Sequence, residues 1–169
     1  DYLFVGLNTD LFAEATTPLG IQVSNPASAS LSRIDIGLPL EELSWQYRFN
    51  TLIGEIQIFD FDTNLLDGKL SIPAASYNSA GDRQQVDVVL TDLRVDSVIA
   101  LAEYPGLEAD GLISGYLPFI IDGDTISVEK GLVGALKPGG SIRYTPANSV
   151  LSSDPGLQLV NDALSNYQY

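Results

Sequence analysis

The chain has 169 residues, 45% hydrophobic and 18% charged, with 15 Gly and 9 Pro, which predicts one ordered β-rich domain over residues 1–169 and excludes a disordered tail. Eight Lys and Arg stand against 22 Asp and Glu, and the net charge of -14 opposes nucleic-acid backbones and anionic membrane surfaces as partners. His and Cys are both absent, which removes Ser-His and Cys-His nucleophile pairs, zinc and iron–sulfur centres held by those residues, and any disulfide.

In chain order, Ile34, Ile36, Leu38 and Leu40 alternate with Arg33, Asp35, Gly37 and Pro39 and predict a strand. Leu43, Trp45, Tyr47, Phe49, Thr51 and Ile53 predict a second, long strand with one apolar face, and Glu41-Glu42 between the two reads as the turn of a hairpin. Ile56 and Ile58 share a face, but Phe59 and Phe61 fall on the opposite parity, so either a bulge intervenes or both faces are covered. The polar stretch Asp60 to Asn64 reads as a turn before an alternating run of Leu66, Gly68, Leu70, Ile72 and Ala74, and Tyr77 to Asp82 reads as a loop.

Val86, Val88 and Leu90 lie on one parity and Val89, Leu93 and Val95 on the other, which suits a strand buried on both sides. Asp96 is placed to cap a short helix through Ala102, with Pro105-Gly106 as its stop. Gly111, Ile113, Gly115, Leu117, Phe119 and Ile121 alternate up to the turn Asp122-Gly123-Asp124, after which Ile126 and Val128 complete a hairpin. A short strand from Leu132 to Leu136 sits between Gly131 and Pro138-Gly139-Gly140, and Ile142 and Tyr144 begin another. Asp154-Pro155 opens a second helix with Leu159, Val160, Ala163, Leu164 and Tyr167 at helical spacing.

The sum is a mainly β chain of eight to ten strands in meander order with two short helices, expected to form an antiparallel sheet. An apolar strand face must be covered by a second layer, closed on itself, or left as a groove for something apolar. Two short helices are little cover. No stretch approaches the about 20 apolar residues needed to span a bilayer. A start at Asp1 and an end at Tyr169 inside an aromatic run lead us to expect a fragment of a longer chain, with any membrane anchor outside it.

Polar chemistry finds few candidates. Asp60-Phe61-Asp62-Thr63-Asn64 begins like a calcium loop, but Leu65 stands where the turn Gly belongs and Ser71 where the bidentate Glu belongs, so no metal is expected. Glu41 and Glu42 are strand neighbours that point to opposite faces and cannot flank one bond, and no enzyme activity or cofactor is expected. The cations Arg33, Arg48, Lys69, Arg83, Arg94, Lys130, Lys137 and Arg143 are scattered among acids and form no local pair for a dicarboxylate. Gly111, Gly115, Gly131 and Gly134 either widen an apolar trough or mark bulges and tight bends, the latter being favoured at Gly131 and Gly134.

The stretch Gly111-Leu112-Ile113-Ser114-Gly115-Tyr116-Leu117-Pro118-Phe119, then Gly131, then Pro138-Gly139-Gly140-Ser141-Ile142-Arg143-Tyr144, resembles the C-terminal part of the YdbH-like family. That family is also labelled "dicarboxylate transport" and is related to the AsmA and TamB proteins. Leu65-Leu66-Asp67-Gly68 with Ile72-Pro73, and Val86 running into Leu101, are similar to further steps of its pattern, so that the resemblance covers roughly residues 50 to 169. It implies a periplasmic protein of Gram-negative bacteria, held in the inner membrane by a segment outside this chain, whose curled sheet carries phospholipid between the inner and outer membranes. An outer-membrane lipoprotein, or another copy joined through open sheet edges, is the protein partner it implies.

Taken with the apolar faces, the resemblance leads to an expected open half-barrel or groove. Its wall would be formed by Ile34, Ile36, Leu38, Leu43, Trp45, Tyr47, Phe49, Ile53, Leu70, Ile72, Ile113, Leu117 and Phe119. Acyl chains need only a continuous apolar surface, worth about 0.8 kcal/mol per buried methylene. The same side chains are equally the material of a closed core. In that case the alternative is a periplasmic protein-interaction or small-ligand (dicarboxylate) module, with strand addition at an exposed edge as its mode of binding.

Overall fold

A computed structural model describes residues 3–79, 81, 83–103, 106–123, 125–144 and 167–168. Three short strands, β1 (Leu3–Val5), β2 (Asn8–Thr9) and β3 (Glu14–Thr16), all pair with the long β4 (Gly20–Asp35). A meander follows through β5 (Pro39–Asn50), β6 (Glu55–Leu65), β7 (Gly68–Asn78) and β8 (Arg83–Arg94), which runs directly into helix α1 (Val95–Ala102). After β9 (Leu107–Ala109) come β10 (Leu112–Asp122), β11 (Thr125–Val128), β12 (Leu132–Ala135), β13 (Ser141–Tyr144) and β14 (Tyr167–Gln168).

Eleven strands make one antiparallel sheet along the path β1-β4-β5-β6-β7-β8-β10-β11, with β2 and β3 on β4 and β12 on β10. The path has two ends and does not close into a barrel. A second sheet of three strands runs β14-β13-β9. Among the described residues α1 is the single helix; the second helix expected from Asp154-Pro155 onward lies outside them except for Tyr167, which is in strand β14. Helix α1 begins at Arg94, without a side-chain cap, and Asp96 in its first turn pairs back to Arg94 instead of capping. Glu103, at φ 48°, ends it in the left-handed conformation that typically closes helices.

Two sequence expectations about turns are corrected. The hairpin turn lies at Ile36–Leu38, where Gly37 takes φ 88°, and Glu41-Glu42 lies inside β5. Asp60 to Asn64 is likewise strand, within β6, and the turn comes at Leu66-Asp67, both at positive φ as a two-residue primed hairpin loop requires. In both stretches the polar residues stay in the sheet because they have partners on its polar side. Asn64 Nδ2 donates to Glu42 Oε2 at 2.7 Å, and Ser71 Oγ donates to Asp62 Oδ1 at 2.5 Å.

The buried residues are Gly20, Val23, Ala27, Ala29, Leu31, Leu43, Leu65, Val88, Leu93, Pro118 and Ile120, with Thr63 as the one buried polar side chain among the described residues. All of them belong to the large sheet.

Candidate functional site

Residues directly opposed in antiparallel strands point to the same side of a sheet, so the register sorts its side chains into two faces. One row reads Val23, Phe49, Ile56, Tyr77, and the next Ala27, Tyr47, Ile58, Ala75. Ala29 opposes Trp45, whose ring meets Phe61 at a 6.2 Å centroid distance, and Phe61 opposes Ile72. Leu31 opposes Leu43, and beyond them Thr63, Leu70, Leu90, Gly115 and Val133 continue across β6, β7, β8, β10 and β12. Val88 with Leu117, Val86 with Phe119 and Val128, and Leu93 with Ile113 and Ala135 extend the same side. The other side reads Ser28-Gln46, Arg48-Gln57-Ser76 and Ser30-Ser44-Asp62-Ser71. The sheet therefore has an apolar face and a predominantly polar one.

Three breaks in alternation are absorbed by single residues in left-handed backbone: Glu42 at φ 53°, Asp60 at φ 48° and Asp92 at φ 55°. Each lies at a register shift, between Glu41 and Ser44 on β5, opposite Trp45 on β6, and opposite Ser114 on β8. The bulge at Asp60 settles the parity of the aromatic pair. Phe59, on the polar side opposite Gln46, lies under the Arg48 guanidinium, and Phe61 returns to the apolar side. The bulge at Asp92 brings Leu93 back to the face of Val86, Val88 and Leu90, while Val89 stays half-buried on the other side, opposite Ser71 and Tyr116.

Among the described residues, the strands of the large sheet contact chiefly their in-sheet neighbours, and α1, which packs on β8 and β9, is the one helix against them. Phe4, Ile21, Ile56, Tyr77, Ile126 and Val133 are exposed large side chains at the margins and ends of the apolar face.

Of the residues expected to line a groove, Leu43, Trp45, Tyr47, Phe49, Leu70, Ile72, Ile113, Leu117 and Phe119 share this face. Ile34 opposes Leu40 and Phe4 near the end of β4. Ile36 and Leu38 sit in the turn and Ile53 in the loop between β5 and β6, where Ile36 and Ile53 are 50% and 55% exposed, so these three are not the strand residues expected of them. Gly115 is a close-contact position: a Cβ there would meet Leu132 O and Val133 Cγ2 at 2.9 Å, so it brings β12 against β10 instead of widening the face.

Most of the cations are already paired. Arg33, Lys69, Arg83, Arg94 and Arg143 are paired with carboxylates, as Arg33 with Glu41 at 3.2 Å and Arg83 with Glu129 at 2.9 Å. Five of eight cations are thus engaged by acids already, which leaves little with which to hold a dicarboxylate. Hydrogen bonds from Gln85 and Tyr116 hold the Asp87 carboxyl below its usual range, and the same Asp87 contact raises the Tyr116 phenol.

The family model described as intermembrane phospholipid transport protein YdbH matches residues 1–169. The chain belongs to the YdbH-like family. The match includes the first fifty residues, which the sequence motifs do not reach, and the AsmA relationship is consistent with it. Neither a curated protein nor a solved structure matches the chain. No helix among the described residues of this YdbH-like chain is long and apolar enough to cross a membrane.

Sequence reading missed a whole strand of the site. Ala27, Ala29 and Leu31 form the β4 side of the apolar face of this YdbH-like sheet, and their only sequence signal is alternation with Ser28, Ser30 and Ser32. Small side chains made that signal weak.

Proposed function

We propose that this chain is a non-enzymatic section of a phospholipid conduit in the periplasm. Acyl chains lie against the apolar face as lipid passes between inner and outer membranes, and head groups stay toward solvent. One observation carries the reading: a single open sheet keeps one face apolar across seven successive strands, from β4 through β8 to β10 and β12, and the backbone contacts of its strands run chiefly within the sheet. The burial of Val23 at 2%, Leu43 at 5% and Val88 at 7% supports a groove form, because a flat single layer leaves such side chains in water whereas a curled one folds its neighbours over them. The bulges on β5, β6 and β8 supply that curl, since each bends its strand and increases local twist.

Acyl chains gain about 0.8 kcal/mol per methylene removed from water without needing a specific polar partner, which suits a sliding cargo. The chain holds no nucleotide-binding glycine loop, so direction and energy come from elsewhere in the envelope. The open path from β1 to β11 favours a second, compatible role, in which an edge strand adds another envelope protein or a second copy.

Native mass spectrometry with lipid extraction, on protein purified from bacterial envelopes, tests the conduit. Phospholipid is expected to co-purify, and to be lost from Trp45→Glu and Phe119→Glu but not from Gln85→Glu, which lies on the opposite face beside Ile120. A folded, lipid-free wild-type chain rejects the reading.

A further inference from the structure

We infer that Glu42, Asp60 and Asp92 are positioning residues for the lipid path: each inserts one left-handed residue that re-phases its strand so that the apolar face continues unbroken. The inference rests on the conduit reading. Side chains alternate along a strand, so shifting the phase by one residue sends every later side chain to the other face. On β6, Ile56 and Ile58 have even parity and Phe61, Thr63 and Leu65 odd; without the extra residue, Asp62 and Asn64 take the apolar side instead. On β8 the same device carries the phase from Leu90 to Leu93, and on β5 Glu42 is the extra residue against β6, between the pairs Glu41–Asn64 and Ser44–Asp62, while the pairing with β4 runs through it unshifted.

Positive φ is uncommon for residues other than Gly and is found most often at Asn and Asp, so three acidic residues in that conformation inside strands are a specific arrangement. Two of the three are tied to the sheet around them by hydrogen bonds. The Asp92 amide donates to Ser114 Oγ at 3.0 Å, and the Glu42 carboxylate accepts from Asn64. Asp60 lies opposite Trp45, and the β6–β7 pairing keeps its register on both sides of it. The extra residue is thus taken up between β5 and β6 alone, and β7 passes from Ala75 to Ile72 on the same face with no left-handed residue of its own.

The test deletes Asp60 and, in a separate chain, Asp92. A photo-crosslinking amino acid is placed in turn at Phe61, Asp62, Leu93 and Arg94, with Phe119 as a site remote from both bulges. Crosslinking is read against dioleoyl phosphatidylethanolamine vesicles in folded protein. In the wild-type chain Phe61, Leu93 and Phe119 capture lipid and Asp62 and Arg94 do not. Deleting Asp60 is expected to cut capture at Phe61 by about tenfold and to raise it at Asp62, with Phe119 unchanged. Asp60→Gly, which adopts positive φ freely, is expected to keep the wild-type pattern. Deleting Asp92 gives the equivalent exchange between Leu93 and Arg94 near the end of β8, where little strand follows to be disturbed, and decides the matter if the first deletion unfolds. Unchanged capture at Phe61 and Leu93 in the deleted chains overturns the positioning role and leaves the conduit standing. Wild-type chains that capture no lipid at Phe61 or Phe119 overturn the conduit itself.

Discussion

Trp45 and Phe61 face each other across β5 and β6 with ring centroids 6.2 Å apart and planes tilted by 37°, although the strands between them are out of simple register. The contact exists because Asp60 is an extra residue on β6. Aromatic pairs at this distance and tilt are worth about 0.5–1.5 kcal/mol beyond the area they bury. A double-mutant cycle of Trp45→Ala and Phe61→Ala, read by urea unfolding, is expected to give a coupling in that range. Strict additivity of the two single changes means that the rings do not interact in solution.

Legibility in the sequence followed the size of the apolar side chains and the regularity of the period. From β8 to β13 the strands other than β9, helix α1 and the hairpin at Gly123 stand close to where alternation and turn residues put them, because Val86, Val88, Leu117 and Phe119 are large and in phase. Earlier, Glu41-Glu42 and Asp60 to Asn64 have the composition of turns, yet cross-strand partners keep them in the sheet. Ile36 and Leu38 have the composition of strand but lie on either side of Gly37, whose positive φ turns the chain. The apolar face itself was legible on β5 and β10. Its continuity was not, since it depends on pairing register and on three left-handed residues that no local period reveals.

Thr63 is 1% exposed within the apolar face, and its Oγ1 donates to Glu41 O at 2.9 Å. Thr63→Val keeps the side-chain volume but leaves that carbonyl without the donor, at a cost of about 1–3 kcal/mol. A lowered urea midpoint with an unchanged slope is expected, together with unimpaired lipid capture, because the face becomes more apolar. A variant as stable as the wild type shows that the hydroxyl bond contributes nothing.

Gly68 marks the start of β7 at a point where only Lys69, Leu70 and Ser71 pair with β8. A Cβ at this position would lie 2.6 Å from Thr91 O and from Asp92 O, both rigid backbone atoms. Gly68→Ala is therefore expected to force the two strands apart and to destabilise the chain by about 1–3 kcal/mol. Amide hydrogen exchange should quicken at Leu70 and Val89 while the β8–β10 amides stay protected. Equal protection at both pairs excludes the strain.

Tyr116 and Asp87 lie on the polar side of β10 and β8, and their hydrogen bond shifts both groups, the carboxyl downward and the phenol upward. The two shifts act at opposite ends of the pH scale. A phenol whose value is raised on folding contributes stability that is complete below its ordinary value of 10.0 and is lost as pH rises through the folded value. A depressed carboxyl contributes stability that is complete above its ordinary value of 3.8 and is lost as pH falls through the folded value. Gln85 is the larger influence on Asp87, so Tyr116→Phe should leave most of the acid-side behaviour in place and remove the alkaline part. Urea midpoints measured from neutral pH to above the ordinary phenol range are expected to fall more steeply for the wild-type chain than for Tyr116→Phe, the difference opening only on the alkaline side. Parallel alkaline curves would mean that the other tyrosines account for the whole decline and that the Tyr116–Asp87 bond is not formed in solution.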